Sequence, residues 1–344
     1  MSSNRMVAWQ VEGSFGVENL RRVERAVESP GHGEVLVRIE AASLNYRDLL
    51  MVKGQYNPRQ PLPLVPCSDG AGVVVATGPA VTRFEVGDRV MPLFAPDWIA
   101  DPPNRETIRK TLGGPLDGTL ATHIKVSEGS LVSIPGHLSF EQAATLPCAA
   151  LTAWSSLVTL GQLVAGQTVL ILGTGGVSIF ALQFAKLLGL RAIVTSSDDA
   201  KLERARQLGA DVAINYRSTP EWSRAVREAT DGVGVDLVVE VGGAGTFEES
   251  VRSTRVGGTV SLIGVLAGGQ KDLKLLPVVM NQIRVQGVLV GSRTGFEAMN
   301  RAIALARLEP VVDEVFEFAD APAAFGALAG QRHFGKLVVR AHHA

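Results

Sequence analysis

The segment Val169-Leu170-Ile171-Leu172-Gly173-Thr174-Gly175-Gly176-Val177-Ser178 sets three glycines between an apolar run and a second stretch that is apolar on nearly every side. Gly173 permits a tight turn, and Gly175 lets the backbone approach a pyrophosphate. A helix opening at Gly176-Val177 would hold that pyrophosphate on its N-terminus, where free N–H groups and the helix dipole favour an anion. The third glycine of the G-x-G-x-x-G pattern is Ser178 here, small enough to keep helix and strand close. The chemistry indicated is dinucleotide binding, and a turn without a ligand is the bland alternative. A site specific for NAD places Asp or Glu at the end of the next strand. Here Val194-Thr195 runs into Ser196-Ser197, which leaves room for a 2′-phosphate, and Lys201 and Arg204 follow on one helix. Asp198 and Asp199 read as a helix cap and a first-turn charge. The expected cofactor is therefore NADPH (NADP+), with NADH second.

Metal chemistry has few residues to draw on. The chain has two cysteines, Cys67 and Cys148, too few for a disulfide framework or a four-cysteine zinc site. The histidines stand at 32, 123, 137, 333, 342 and 343, without the spacing of a metal-binding helix or hairpin. Lys+Arg and Asp+Glu number 33 and 34, so the basic excess that nucleic acid or an anionic membrane would require is missing. No apolar run approaches the ~20 residues of a spanning helix, and the N-terminus lacks a signal-like apolar stretch. A cytoplasmic protein with free thiols is expected.

These residues need elements to position them. Residues 1 to about 134 read as short strands and turns. Val35, Val37 and Ile39 alternate with Leu36, Arg38 and Glu40, Val73–Thr77 ends at Gly78-Pro79, and Gly87-Asp88 turns into Arg89-Val90-Met91. Residues 95–118 carry four prolines and read as a long surface loop. From about 150 strands alternate with helices: Thr168–Leu172, Val177–Leu188, Arg191–Thr195, Asp199–Leu208, Val212–Ile214, Val235–Val239 and Thr259–Ile263. That alternation means βαβ units and a parallel sheet. A helix at Phe296–Leu308, the segment Val311–Phe318, an Ala-rich helix and a strand at Lys336–Arg340 close the chain.

With Asn45-Tyr46-Arg47-Asp48 and Gly335-Lys336, this order resembles the medium-chain dehydrogenase/reductase superfamily over essentially the whole chain. Its zinc-free, quinone oxidoreductase-like branch is the more similar one. The resemblance implies an α/β protein: a GroES-like, β-rich catalytic domain (1–149), a Rossmann NADP-binding domain with a doubly wound parallel sheet (150–293), and a C-terminal return (294–344). It implies a cofactor cleft between the domains and a homodimer joined along the strand Arg284–Val290. The catalytic zinc ligands of the zinc enzymes match Asn45, Ser68 and Cys148 here, of which Asn and Ser are not ordinary zinc ligands. The structural-zinc loop would fall in 95–118, which has no cysteine. No bound metal is expected, and Cys67 reads as a small buried residue.

The resemblance also places residues around the chemistry. Asn45 and Tyr56 match positions facing nicotinamide and substrate, and Tyr46 belongs to the same motif, with a packed ring as its plain alternative and a helix cap as that of Asp48. The proton relay of the zinc alcohol dehydrogenases would fall at Arg47 and Leu50, which cannot serve it. Thr152 matches a threonine beside the nicotinamide, Tyr216 lines the adenosine phosphate pocket, and Gly242 allows close approach. Gly264-Val265-Leu266 and Leu289-Val290-Gly291-Ser292 match backbone segments that bind the carboxamide. Lys336 either reaches the cofactor cleft or is a solvated lysine before an edge strand. Leu93, Phe94, Trp98 and Leu266 are candidate substrate walls. The function implied is zinc-independent hydride transfer from NADPH to a quinone or activated alkene. An alcohol or carbonyl dehydrogenase, a non-catalytic NADPH-binding scaffold and a zinc alcohol dehydrogenase are the alternatives.

Overall fold

The computed structural model describes residues 5–264 and 274–341. One compact unit comprises the chain to Leu151 and from Gly291 onward, and the other is Thr152–Val290. In the first unit, β1 (Arg5–Val11) and β2 (Leu20–Ala26) form an antiparallel hairpin. The strands β3 (Glu34–Ser43), β4 (Asp69–Thr77), β5 (Arg89–Pro92), β6 (His123–Ser127) and β7 (Leu131–Ser133) follow. The alternation read in β3 is a core pattern, with Val35, Val37 and Ile39 fully buried against Val74, Val90 and Leu131. Between β3 and β4 the chain forms a short helix that strand periodicity does not announce, α1 (Tyr46–Val52). The Asn45 backbone N–H donates to the Asp48 carboxylate at 2.8 Å, so a local cap starts α1. No strand or helix occurs in 95–118.

The second unit is a six-stranded sheet of β8 (Thr168–Leu172), β9 (Arg191–Ser196), β10 (Val212–Asn215), β11 (Val235–Glu240), β12 (Thr254–Leu262) and β13 (Arg284–Gly287). Their spatial order is β10-β9-β8-β11-β12-β13, and every pairing is parallel. Numbered within the sheet this is 3-2-1-4-5-6, the doubly wound dinucleotide-binding topology, whose strand order reverses between its first and fourth strands. The helices α2 (Gly176–Leu187), α3 (Asp199–Gln207), α4 (Trp222–Glu228) and α5 (Phe247–Ser253) connect the strands. Leu170, Ile193, Val238 and Val260 from the sheet pack with Trp222, Val226, Phe247 and Val251 from α4 and α5. The last strand, expected to run to Val290, ends at Gly287 and is the sheet edge.

The chain then re-enters the first unit through α6 (Arg293–Ala306), β14 (Val312–Glu317), α7 (Ala321–Gly330) and β15 (Lys336–Arg340). The main sheet of that unit runs β14-β15-β3-β4-β5-β7, with β6 also paired to β3. Thus β15 is an interior strand, not an edge. Phe325 and Leu328 of α7 join Leu49 and Val52 of α1 in one apolar cluster, which seats α1 against α7. In the second unit Phe184 is fully buried, edge-on to Trp154 at 5.5 Å and stacked on Phe180 at 6.0 Å. Phe184→Ala should cost about 3–5 kcal/mol of stability through lost burial and a residual cavity, read as a lowered urea midpoint.

Candidate active site and dinucleotide loops

In the β-rich unit, β3, β4, β15 and the turn Leu146–Ala150 bring four polar side chains together. The Lys336 ammonium is 3% exposed and donates to the Asn45 Oδ1 and to the Leu44 carbonyl, each at 2.6 Å. The Asn45 Nδ2 faces the Ser68 hydroxyl at 3.4 Å, and that hydroxyl donates to the Asp69 Oδ1 at 2.7 Å. The Cys148 backbone N–H donates to the other Asp69 oxygen at 3.1 Å. Burial pushes the Asp69 carboxyl up, opposed by the Lys336 charge and by hydrogen bonds from Asn45 and Ser68. Burial, and secondarily the Asp69 charge, pushes the Cys148 thiol up as well. The turn bearing Cys148 is a π-helical one, a distortion often found at functional sites.

Beside this cluster lies Arg47. Its guanidinium donates to the carbonyls of Leu112 and Gly114 and to the Thr111 hydroxyl, holding the long loop, and it stacks 5.0 Å from the Phe94 ring centroid. The Tyr56 ring lies 5.3 Å away on the same cation and is 50% exposed, leaving its phenol open to a ligand. Tyr46 instead packs its ring against the apolar cluster of α1 and α7. Leu93, Phe94 and Trp98 are buried, so as placed they are core more than walls.

The second unit gathers its candidates at the carboxyl ends of the strands. Gly173 has φ +74° and makes the turn after β8, while a Cβ at Gly175 would meet nothing within 4 Å, which leaves space for an approaching ligand. The 12-residue α2 has Gly175 as its N-cap residue and no side-chain cap, so its first N–H groups are open to an anion. The Ser178 hydroxyl bonds the Leu172 carbonyl at 2.7 Å, tying helix to strand where the pattern's third glycine would sit. These residues fit a dinucleotide pyrophosphate. Ser196 is buried and accepts from the Asp198 N–H, and Tyr216, partly exposed, donates its N–H to the Ser196 carbonyl. Asp198 caps α3 through the N–H groups of Ala200 and Lys201, and Asp199 accepts from Asn215. The Thr152 hydroxyl donates to the Leu289 carbonyl at 3.4 Å.

Two glycines have a nearer explanation than the ligand. A Cβ at Gly242 would strike the Thr246 hydroxyl, and one at Gly264 the Val241 carbonyl. Glu240, fully buried, accepts from the N–H groups of Gly242 and Gly243 and from the hydroxyls of Thr246 and Ser250, shaping the loop after β11. Gly291 precedes Ser292, whose hydroxyl donates to Asp101 at 2.7 Å and caps α6, so that side chain serves the β-rich unit. Val265 and Leu266 lie outside the described residues.

The fit of a catalytic zinc can be tested on the side chains. Among the described residues no three His, Cys, Asp or Glu side chains gather where they could hold a metal. Asn45 offers its oxygen to an ammonium, Ser68 its hydroxyl proton to Asp69, and the Cys148 thiol is held protonated by burial. A dication at Asn45, Ser68 and Cys148 would meet a lysine charge already bonded to the first of them, so the three positions do not fit the metal. The solvated lysine considered for Lys336 is ruled out by its burial and by the interior place of β15. Periodicity could not show this, since Lys336 opens an apolar strand. Ser68 enters the sequence reading only as a zinc-ligand position and Asp69 only as an imaginable substitute ligand, so their pairing is not foreseen there, though two polar residues entering a buried strand are a detectable signal.

The fold and these loops define an oxidoreductase with one dinucleotide-binding unit and one β-rich unit. The zinc-binding dehydrogenase family model matches residues 176–306, and the alcohol dehydrogenase GroES-like domain matches 31–136. A zinc-type alcohol dehydrogenase-like protein of Schizosaccharomyces pombe is 42% identical over 314 residues, 90% of this chain and 91% of the relative. An acryloyl-coenzyme A reductase of Sulfurisphaera tokodaii is 28% identical over 90% of this chain and 93% of its own. A solved NAD-dependent alcohol dehydrogenase superposes with a TM-score of 0.89 at 34% identity, covering 97% of this chain and 99% of that one. The chain belongs to the medium-chain dehydrogenase/reductase superfamily, whose members bind a nicotinamide cofactor.

The cluster carries a pH signature. Asp48 is fully buried, and burial raises its pKa to about 6 although the Arg47 charge, 3.6 Å away, pulls it down. A carboxyl raised above its unfolded value contributes stability at low pH and loses it as pH rises through the folded pKa. Between about pH 4 and 7.5 the wild type should therefore lose up to about 3 kcal/mol relative to Asp48→Asn. Urea midpoints of the two proteins across that range check the sign.

Proposed function

We propose that this protein is a zinc-independent reductase that passes a hydride from NADPH to a quinone or an α,β-unsaturated carbonyl. The observation that carries this reading is the Lys336–Asn45 contact, which puts an organic cation against a residue at a position where the zinc enzymes place a ligand. When bound, the reduced nicotinamide supplies the hydride. The chain's part is to hold the acceptor oxygen as it gains negative charge: Asn45 donates through Nδ2, and the open Tyr56 phenol donates or delivers the proton, water being the other source. The acryloyl-coenzyme A reductase among the relatives, an enzyme named for an activated alkene, supports the acceptor class. The absence of an acid at Ser196, and the commitment of Asp198 to the cap of α3, support NADPH over NADH. Alcohol oxidation finds no relay at Arg47, whose guanidinium only donates and is bonded to Thr111, Leu112 and Gly114.

We also propose a cytoplasmic homodimer paired along β13. The edge strand is open on one side, with Val285 exposed and the apolar Leu276, Val279 and Met280 exposed just before it. Among the described residues no helix is long and apolar enough to cross a membrane.

Cofactor oxidation measured with quinones, enones, aldehydes and alcohols, with NADPH and NADH side by side, tests the reading. Turnover should be highest for quinones or enones, and activity confined to alcohols and aldehydes would overturn it. Asn45→Ala should lower kcat by roughly 10²–10³-fold, and Tyr56→Phe by about 10²-fold unless water supplies the proton. Ser196→Asp should invert the cofactor preference, with kcat/KM for NADPH falling about 10²-fold or more through repulsion of the 2′-phosphate.

A further inference from the structure

A buried lysine that bonds no carboxylate directly among the described residues is unusual, because desolvation of the ammonium has to be offset by hydrogen bonds, although its charge still acts on the buried Asp69. Lys336 finds them on two neutral oxygens, the Leu44 carbonyl and the Asn45 Oδ1. Its backbone is equally fixed. The Lys336 N–H donates to the Val311 carbonyl at 3.1 Å, and Gly335 before it has φ +83°, with a Cβ there meeting that same carbonyl at 2.6 Å. The ammonium has donors only, so the Asn45 atom it touches must be the oxygen. The contact therefore decides which way the Asn45 amide points. One Nδ2 hydrogen faces the Ser68 hydroxyl and the Asp69 carboxyl that this hydroxyl bonds, and the other is left for an incoming oxygen on a half-buried residue.

We infer that Lys336 takes the part of a fixed cation in this site: it holds Asn45 with Nδ2 toward the acceptor and, through the amide, strengthens that N–H as a donor to an oxygen gaining negative charge. An amide whose oxygen is bonded to a full charge is polarised toward its nitrogen, and hydrogen bonds in series reinforce one another where the dielectric is low. The ammonium lies behind Asn45, so Lys336 is a positioning residue and Asn45 the group that meets the ligand. The inference rests on the proposed reduction of a carbonyl-bearing acceptor, but its central claim, a site for an oxyanion, is independent of turnover.

Two readouts on the full chain test it, with Lys336→Met and Lys336→Gln beside the wild type. The first is single-turnover oxidation of NADPH by 2-cyclohexen-1-one, with the Kd for NADPH measured by fluorescence. The second is binding of p-nitrophenolate in the presence of NADP+, followed by its absorbance, against the neutral 4-nitroanisole. Lys336→Met should slow the single turnover about 10²-fold and weaken phenolate binding about 10-fold, with the Kd for NADPH and the anisole affinity changed less than about 3-fold. Lys336→Gln, which keeps a donor and removes the charge, should show most of the same loss. Each effect should shrink to less than about 3-fold in an Asn45→Ala background, because the two residues act as one unit. Wild-type phenolate binding in either variant, or equal losses for phenolate and anisole, would overturn the inference. If the wild type turns over no acceptor, the reductase reading fails, and the phenolate titration still decides the role of Lys336.

Discussion

A positive charge removed from water must be met by oxygen, and in this chain that requirement links the C-terminal strand to the start of the helix bearing Asn45. The Lys336 ammonium is met by the Leu44 carbonyl and the Asn45 amide, residues some 290 positions away in sequence. Their meeting depends on β15 lying beside β3, and thus on the chain returning to its first unit after the parallel sheet. Asn45 in turn begins α1, whose apolar face packs with α7. The polarity of one amide is thereby set by the topology of a whole unit.

The parallel sheet imposes a different constraint. Each strand ends in a loop on the same edge, and the loop must either present backbone to a ligand or be filled by its own side chains. Both solutions occur here. The turn after β8 leaves open space at Gly175 and bare N–H groups on α2, whereas the loop after β11 is organised by buried Glu240 and filled by Thr246. A glycine in such a loop is therefore informative only when the space beside it is known.

This difference explains what could be read from the sequence. The glycine turn, the βαβ alternation and the β3 alternation are local patterns, and local patterns survive in one dimension. Asp198 as a helix cap was legible for the same reason, because a cap acts over three residues. The burial of Lys336 was not, since a lysine at the start of an apolar strand looks the same whether water or Asn45 meets it. Tyr46 and Tyr56 sit ten residues apart, yet one ring, partly buried, packs against the core and the other is half exposed on Arg47. Their separation comes from the turn after α1, not from residue type.

Under the proposed function, an amide and an ammonium meet the developing negative charge in place of a metal. The most direct measurement determines zinc content and NADPH-dependent reduction of an enone on one purified sample, before and after exhaustive chelation. The account predicts that turnover is unchanged in protein stripped to well under one zinc per chain. Activity that falls in proportion to zinc removed, and returns as zinc is restored to one per chain, would contradict it.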